Sequence, residues 1–240
     1  MIPKIIHYCW FGGSELPEVA QECIASWKKY CPDYEIKRWD ESNYDVEKNQ
    51  YTREAYLNKK WAFLTDYARL DILYNEGGVY MDTDVKIIKP ITPLINQGAF
   101  MAFEQRGRVN TGIGFACEPG NTIVGENKRY YENKKFCDKS GHFKPEICVK
   151  ITTKLLIEHG LKYTEDCQQK INALTVYPSS FFSPKKMGTE ILSITNNTYA
   201  IHLYESSWYK GPLFIKKLQY RLIVLKEFIK YKLLKRKLYE

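Results

Sequence analysis

The apolar positions of this chain change period several times along its length. Residues 4–10 (KIIHYCW) form a nearly unbroken apolar run that stops at Gly12 and Gly13, the pattern of a buried strand. Residues 17–29 open on a proline and then carry apolar side chains at helical spacing, and residues 34–39 (YEIKRW) alternate as a strand does. Strand, helix and strand in that order predict a parallel sheet with helices on its faces. Residues 51–58 predict a short helix. Residues 99–103 and 112–117 read as strands flanking a polar turn at 106–111, and residues 146–159 as a helix closed by Gly160. Residues 173–177 and 199–203 predict two more strands. There is no internal repeat and no low-complexity linker, so 240 residues that are 44% hydrophobic fit one α/β domain with a single core.

Residues 61–85, WAFLTDYARLDILYNEGGVYMDTDV, are the most informative segment. Residues 62–75 predict a helix from good helix formers with Leu64, Leu70 and Leu73, and Gly77 with Gly78 supplies its stop. Residues 79–81 then read as a brief buried strand running straight into Asp82 and Asp84. Two residues apart on an extended backbone, these carboxylates would point to one side and could face one divalent cation. Mg²⁺ or Mn²⁺ held by one or two carboxylates completes its shell with water and phosphate oxygens, so the pattern suits a nucleoside diphosphate. With nine aspartates in the chain, an Asp-x-Asp tripeptide alone is weak, and a solvated turn is the plain alternative. Its place at a strand end is the stronger signal, because ligands of open α/β sheets bind there.

The net charge of +8 sits at one end. Residues 210–240 hold ten basic and two acidic residues, leaving 26 of each in the first 209. A nucleic-acid enzyme concentrates positive charge around its working groove, so binding to nucleic acid is disfavoured. In the same tail, Phe214, Leu218, Leu222, Leu225, Ile229 and Leu233 draw one apolar stripe flanked by lysine and arginine. That predicts a basic amphipathic helix over residues 213–240, lying on an anionic membrane surface or packed against the domain or another subunit. The seven cysteines include no C-x-x-C pair, which disfavours a zinc cage or a disulfide framework and suggests buried thiols in a reducing compartment. The N-terminal apolar stretch is short for a signal peptide, and no run of eighteen apolar residues occurs. The expected location is cytoplasmic, peripheral at the inner face of the membrane.

Three motifs, IPKIIHYCWFGG at residues 2–13, GGVYMDTD within the 61–85 block, and HLYESSW at 202–208, together resemble glycosyltransferase family 32, which includes capsular polysaccharide enzymes. The chain is more distantly similar to the glucosylating domain of large clostridial toxins. The resemblance covers residues 2–95 well and 173–212 more loosely. It implies a GT-A-type, Rossmann-like mixed sheet with helices on both faces over residues 1–212. It also implies retaining transfer from a nucleotide sugar, usually a UDP-sugar. The basic tail on a chain expected in the cytosol suggests a glycan or lipid-linked oligosaccharide acceptor in cell-surface polysaccharide synthesis, and the paired aspartates suggest Mn²⁺ or Mg²⁺ as cofactor. By position, the resemblance assigns Cys9 and Trp10 to the nucleotide base. It gives Asp66 and Arg69 to the donor sugar and phosphate, Asp82 to the ribose or the metal, and Asp84 to the metal directly. His202 is the third metal ligand it suggests, with Ser207 and Trp208 over the phosphates and Asn110 near the donor sugar or acceptor. The family often has a second His or a Trp just after the first His, where this chain has Leu203 and Tyr204.

Plainer roles exist for several of these residues. Trp10 could be a core aromatic, Asp66 with Arg69 an exposed i, i+3 ion pair, and His202 structural. An aspartate-based phosphohydrolase with Asp82 as nucleophile also begins Asp-x-Asp after a buried strand. That motif sits on the first strand and has Thr or Val where this chain has Lys86. A non-catalytic membrane adaptor working through the basic tail is the third reading.

Overall fold

The computed structural model of the protein describes residues 1–205 except 106, 139, 141, 144, 145, 163, 165 and 166. The expected helix at 213–240, together with Ser207 and Trp208, lies outside the described residues. The chain opens with β1 (Ile5–Cys9), α1 (Glu18–Tyr30) and β2 (Glu35–Trp39), followed by α2 (Gln50–Leu57), α3 (Trp61–Glu76) and β3 (Gly78–Tyr80). Then come β4 (Val85–Ile87), α4 (Thr92–Ile95), β5 (Phe100–Ala102), β6 (Phe115–Cys117), α5 (Thr122–Glu132) and α6 (Cys148–Glu158). The described part ends with β7 (Gln169–Ile171), β8 (Leu174–Tyr177), α7 (Ser179–Phe182) and β9 (Ala200–His202).

Seven strands form one mixed sheet in the order β2-β1-β3-β6-β5-β8-β7, and β4 pairs with β9 in a separate antiparallel ladder. The parallel β1–β2 pair bears out the strand-helix-strand opening, with Ile5 opposite Glu35 and Cys9 opposite Trp39. Strands β3 and β6, β5 and β6, and β7 and β8 are antiparallel, so β1, β3, β5 and β8 all run the same way. Alternate side chains of each strand enter opposite cores. Phe100 and Ala102 belong to the cluster that holds Cys23, Ile24 and Trp27 of α1, whereas Met101 and Phe103 belong to the one that holds Leu64 and Leu70 of α3. The expected α/β class with helices on both faces is therefore met, although two buried clusters stand where one core was expected.

Helix α3 ends because Gly77 takes φ 68° and caps Leu73 O with its N–H. Gly78 follows at φ 96°, where an added Cβ would lie 2.8 Å from Ile5 O and 2.9 Å from His7 Nε2. Gly78 thus lets β3 run tight against β1, while a Cβ at Gly77 would lie 2.6 Å from Pro119 Cδ. The thiols are less uniformly buried than expected. Cys9, Cys23, Cys31 and Cys117 are buried, Cys137 and Cys148 are half-buried and Cys167 is exposed.

His7 in β1 is buried, its Nε2 lies 3.0 Å from Gly77 O, and its Nδ1 accepts from Trp39 Nε1 at 3.0 Å. Burial holds its pKa down to about 4, with Glu76 and the Gly77 carbonyl pulling weakly the other way. Between about 4 and the ordinary 6.5 only the unfolded chain binds this proton. Stability from His7 is thus complete above 6.5 and lost as pH falls towards 4. Urea unfolding is expected to register a loss of about 3 kcal/mol across that window, and the slope should shrink in His7→Gln.

Candidate active site

Because β1, β3 and β5 run in parallel, their carboxyl ends bring Cys9, Asp82 and Glu104 to one edge of the sheet. Helix α3 supplies the next residues. From Leu64 to Leu73 it is buried all round, so its charged members need partners inside the protein. Arg69 donates from Nη2 to Asp66 Oδ1 at 2.7 Å and from Nε to Thr65 O at 3.1 Å. Its Nη1 lies 3.6 Å from Asp82 Oδ2, and its guanidinium carbon is 5.2 Å from the centre of the Tyr80 ring. Arg69 and Asp66 are 4% and 7% exposed, which rules out the surface ion pair.

Burial pushes the Asp66 carboxyl up to about 6, with Arg69 opposing and Asp82 adding to the rise. For Arg69 burial acts downward, but Asp82 and Asp66 outweigh it and the guanidinium stays charged. Cys9 lies against the same group. Its thiol is pushed up to about 12 by burial, moderated by Arg69 and Tyr80, so it stays protonated. Trp10 follows at the end of β1, half-buried against the other core, with Nε1 donating to Ser14 O at 2.7 Å.

The Asp-x-Asp backbone is not extended, contrary to expectation. Strand β3 stops at Tyr80, and Val85 N–H donates to Asp82 O at 3.1 Å, closing a turn. Asp82 faces Arg69 and accepts from Tyr80 OH at 3.0 Å. Asp84 turns towards β9, where its Oδ2 accepts from Glu205 N–H at 3.0 Å and lies 3.5 Å from His202 Nε2. Burial pushes the Asp84 carboxyl up, but His202 and the Glu205 N–H outweigh it, leaving the pKa below the usual value.

The polar turn of the sequence supplies a fitted wall. Asn110 Oδ1 accepts from Gly112 N–H at 2.7 Å, and Gly112 O accepts from Asp82 N–H at 2.8 Å. A Cβ at Gly112 would lie 1.9 Å from Asp82 Oδ2 and 2.7 Å from Arg69 Nη1, so only glycine fits. Asn110 thus acts on Asp82 through Gly112.

Sequence reasoning missed Glu104, Gly112 and Tyr204. Glu104 is buried, with Oε1 3.9 Å from His202 Nδ1, and Tyr204 lies with its ring centre 4.0 Å from that of His202. A signal for Glu104 was present: residues 99–104 (AFMAFE) repeat the GGVYMD pattern of a buried strand running into an acid. His202 Nδ1 is buried without a hydrogen-bond partner among the described residues. Burial pulls the His202 pKa down, but Asp84 and Glu104 outweigh it and hold it above the ordinary value.

Among the described residues no three His, Cys, Asp or Glu side chains converge as a metal cage, so Asp82, Asp84 and His202 do not form a closed three-ligand set. Asp82 and Asp84 keep 30% and 18% of their side-chain surface open. Two partly open carboxylates fit a hard cation that draws its remaining oxygens from a diphosphate.

Residues 17–101 match the family described as "Glycosyltransferase sugar-binding region containing DXD motif", bearing out the resemblance read from the motifs. Among curated proteins, the chain is 34% identical over 124 residues to Inositol phosphoceramide mannosyltransferase 3 of Schizosaccharomyces pombe, covering 48% of this chain and 33% of that protein. It is 25% identical over 176 residues to Lactosylceramide 4-alpha-galactosyltransferase of Rattus norvegicus, covering 65% of this chain and 43% of that protein. The chain therefore spans less than half the length of these relatives. Among solved structures, PaToxG Glycosyltransferase is similar at 18% identity and TM-score 0.47, covering 65% of this chain and 69% of that one.

Proposed function

We propose that this protein is a metal-dependent, retaining glycosyltransferase that takes a sugar from a nucleotide sugar, a UDP-sugar, and transfers it to a glycan or lipid-linked acceptor in cell-surface polysaccharide synthesis. The observation that carries this reading is the buried Asp66–Arg69 pair reaching the part-exposed Asp82, with the Asp84–His202 pair beyond it where the parallel strands end. The relatives' names specify ceramide-based acceptors, which supports an acceptor carried on a lipid.

Breaking the bond between the anomeric carbon and the diphosphate builds negative charge on the leaving phosphate. Asp84, with Asp82, would hold a divalent cation, which when bound supplies several kcal/mol of charge stabilisation. Arg69 contributes a fixed positive charge to the same task, oriented in advance by Asp66 and Thr65 O. The Asp66 carboxylate can accept hydrogen bonds from sugar hydroxyls. Asp84, whose proton is released more readily than usual, meets a cation already ionised.

The test is a panel of UDP- and GDP-sugars assayed for manganese-dependent hydrolysis. At least one UDP-sugar should release UDP, and release should stop when a chelator removes the metal. Hydrolysis of a generic aryl phosphate, with every nucleotide sugar left intact, would overturn the reading in favour of a phosphohydrolase.

A further inference from the structure

Ile191, Leu192 and Ile194 are 57%, 44% and 54% exposed, a concentration of outward aliphatic side chains within four positions. They lie on a hairpin whose strands are joined by Lys186 N–H to Ile191 O at 2.8 Å and by Ser193 N–H to Pro184 O at 3.1 Å, with Gly188 at φ 74° in its turn. The hairpin is tied down. Gln105 donates to Lys185 O and accepts from Met187 N–H, while Thr198 Oγ1 donates to Ser180 O at 2.8 Å. An ordered backbone therefore holds these side chains out, and every residue from 190 to 197 is exposed.

Ser193 stands among the aliphatic residues and Thr195 follows them. With Gln105, Ser179, Ser180 and Lys186 they line an open cleft of about 390 Å³. Its wall reaches the active site in three contacts. Ser183, also lining the cleft, lies 2.7 Å from Tyr204 OH, the Tyr204 ring packs on His202, and His202 faces Asp84. One edge of the molecule thus combines an apolar rim, a hydroxyl-rich cleft and the reacting centre.

We propose that this hairpin seats Ile191, Leu192 and Ile194 in the head-group boundary of an anionic lipid surface, admitting the polyhydroxylated head group of a lipid acceptor to the cleft beside them. The proposal rests on the transferase reading and names its acceptor class. Charge selects a lipid surface as occupant. Within the hairpin, residues 184–197 carry two lysines, Lys185 and Lys186, against one acid, Glu190, which pairs with Lys185 at 3.3 Å, and Lys89 Nζ reaches in to donate to Asn196 O at 2.8 Å. Small aliphatics beside lysine suit an anionic interface, whereas protein hot spots draw on Trp, Tyr and Arg.

The experiment is hydrogen exchange on the full chain, alone and with mixed vesicles of phosphatidylcholine and phosphatidylglycerol. Amides of residues 184–196 are expected to exchange about tenfold more slowly on the vesicles. The Ile191→Ser, Leu192→Ser, Ile194→Ser variant should lose that protection while hydrolysing the donor at the wild-type rate. Unchanged exchange at 184–196 with vesicles present, or protection that survives in the triple variant, overturns the proposal. Donor hydrolysis separates the two ideas: protection at 184–196 in a chain that hydrolyses no nucleotide sugar would sink the transferase reading and leave the lipid contact standing.

Discussion

Asp84→Asn is expected to lower kcat/KM for donor turnover by about a thousandfold while leaving the fold intact, an effect of about 4 kcal/mol on the transition state. The fold should survive because the asparagine carbonyl can still accept from Glu205 N–H, so the turn keeps its tie to the residues after β9. What disappears is the ionised oxygen facing His202 across 3.5 Å and the hard anionic ligand it offers to a cation. Two measurements bear on this. Free Mn²⁺ followed by electron paramagnetic resonance should reveal weaker binding in the variant, and the thermal transition should move by only a few degrees. Wild-type turnover in Asp84→Asn would remove the metal role from this residue. A collapsed thermal transition would instead make the loss structural.

Much of this site was legible in the sequence because its signals are local. The expected helix at 62–75 and strand at 79–81 differ from α3 and β3 by a residue at each end, since Gly77 and Gly78 punctuate them. The grouping of Asp66, Arg69 and Asp82 came with the family resemblance, but the burial of Asp66 and Arg69 did not. An i, i+3 pair looks the same in sequence whether solvent or protein surrounds it. Helix α5 went unpredicted because Gly125 and several polar residues dilute its pattern. In the fold that glycine is required, since a Cβ there would lie 2.7 Å from the Tyr74 ring of α3. Strands β4 and β7 have only three residues each, too short for alternation to stand out. The turn at Asp82 is set by Gly112, thirty positions away in sequence, through a hydrogen bond that no local pattern could reveal.

Arg69→Met is expected to cost both activity and stability, and the stability cost should depend on pH in a way that identifies its cause. Removing the guanidinium leaves Asp66 buried without its 2.7 Å partner and Asp82 without its neighbour, a situation that costs about 3–5 kcal/mol when an uncompensated charge stays behind. Asp66 already titrates near 6 with Arg69 opposing its rise, so without Arg69 it should hold its proton to still higher pH. A carboxyl whose pKa is higher in the folded chain makes folding less favourable as pH rises from the ordinary 3.8 through the folded value. The deficit of Arg69→Met relative to wild type should therefore widen steadily between about pH 5 and pH 8, as followed by urea unfolding. Adding Asp66→Asn should flatten that dependence and recover part of the stability, because the two residues act as one unit. A deficit that is constant with pH, or unrelieved by the second substitution, would mean that Arg69 stabilises α3 by packing rather than by neutralising the Asp66 and Asp82 carboxylates.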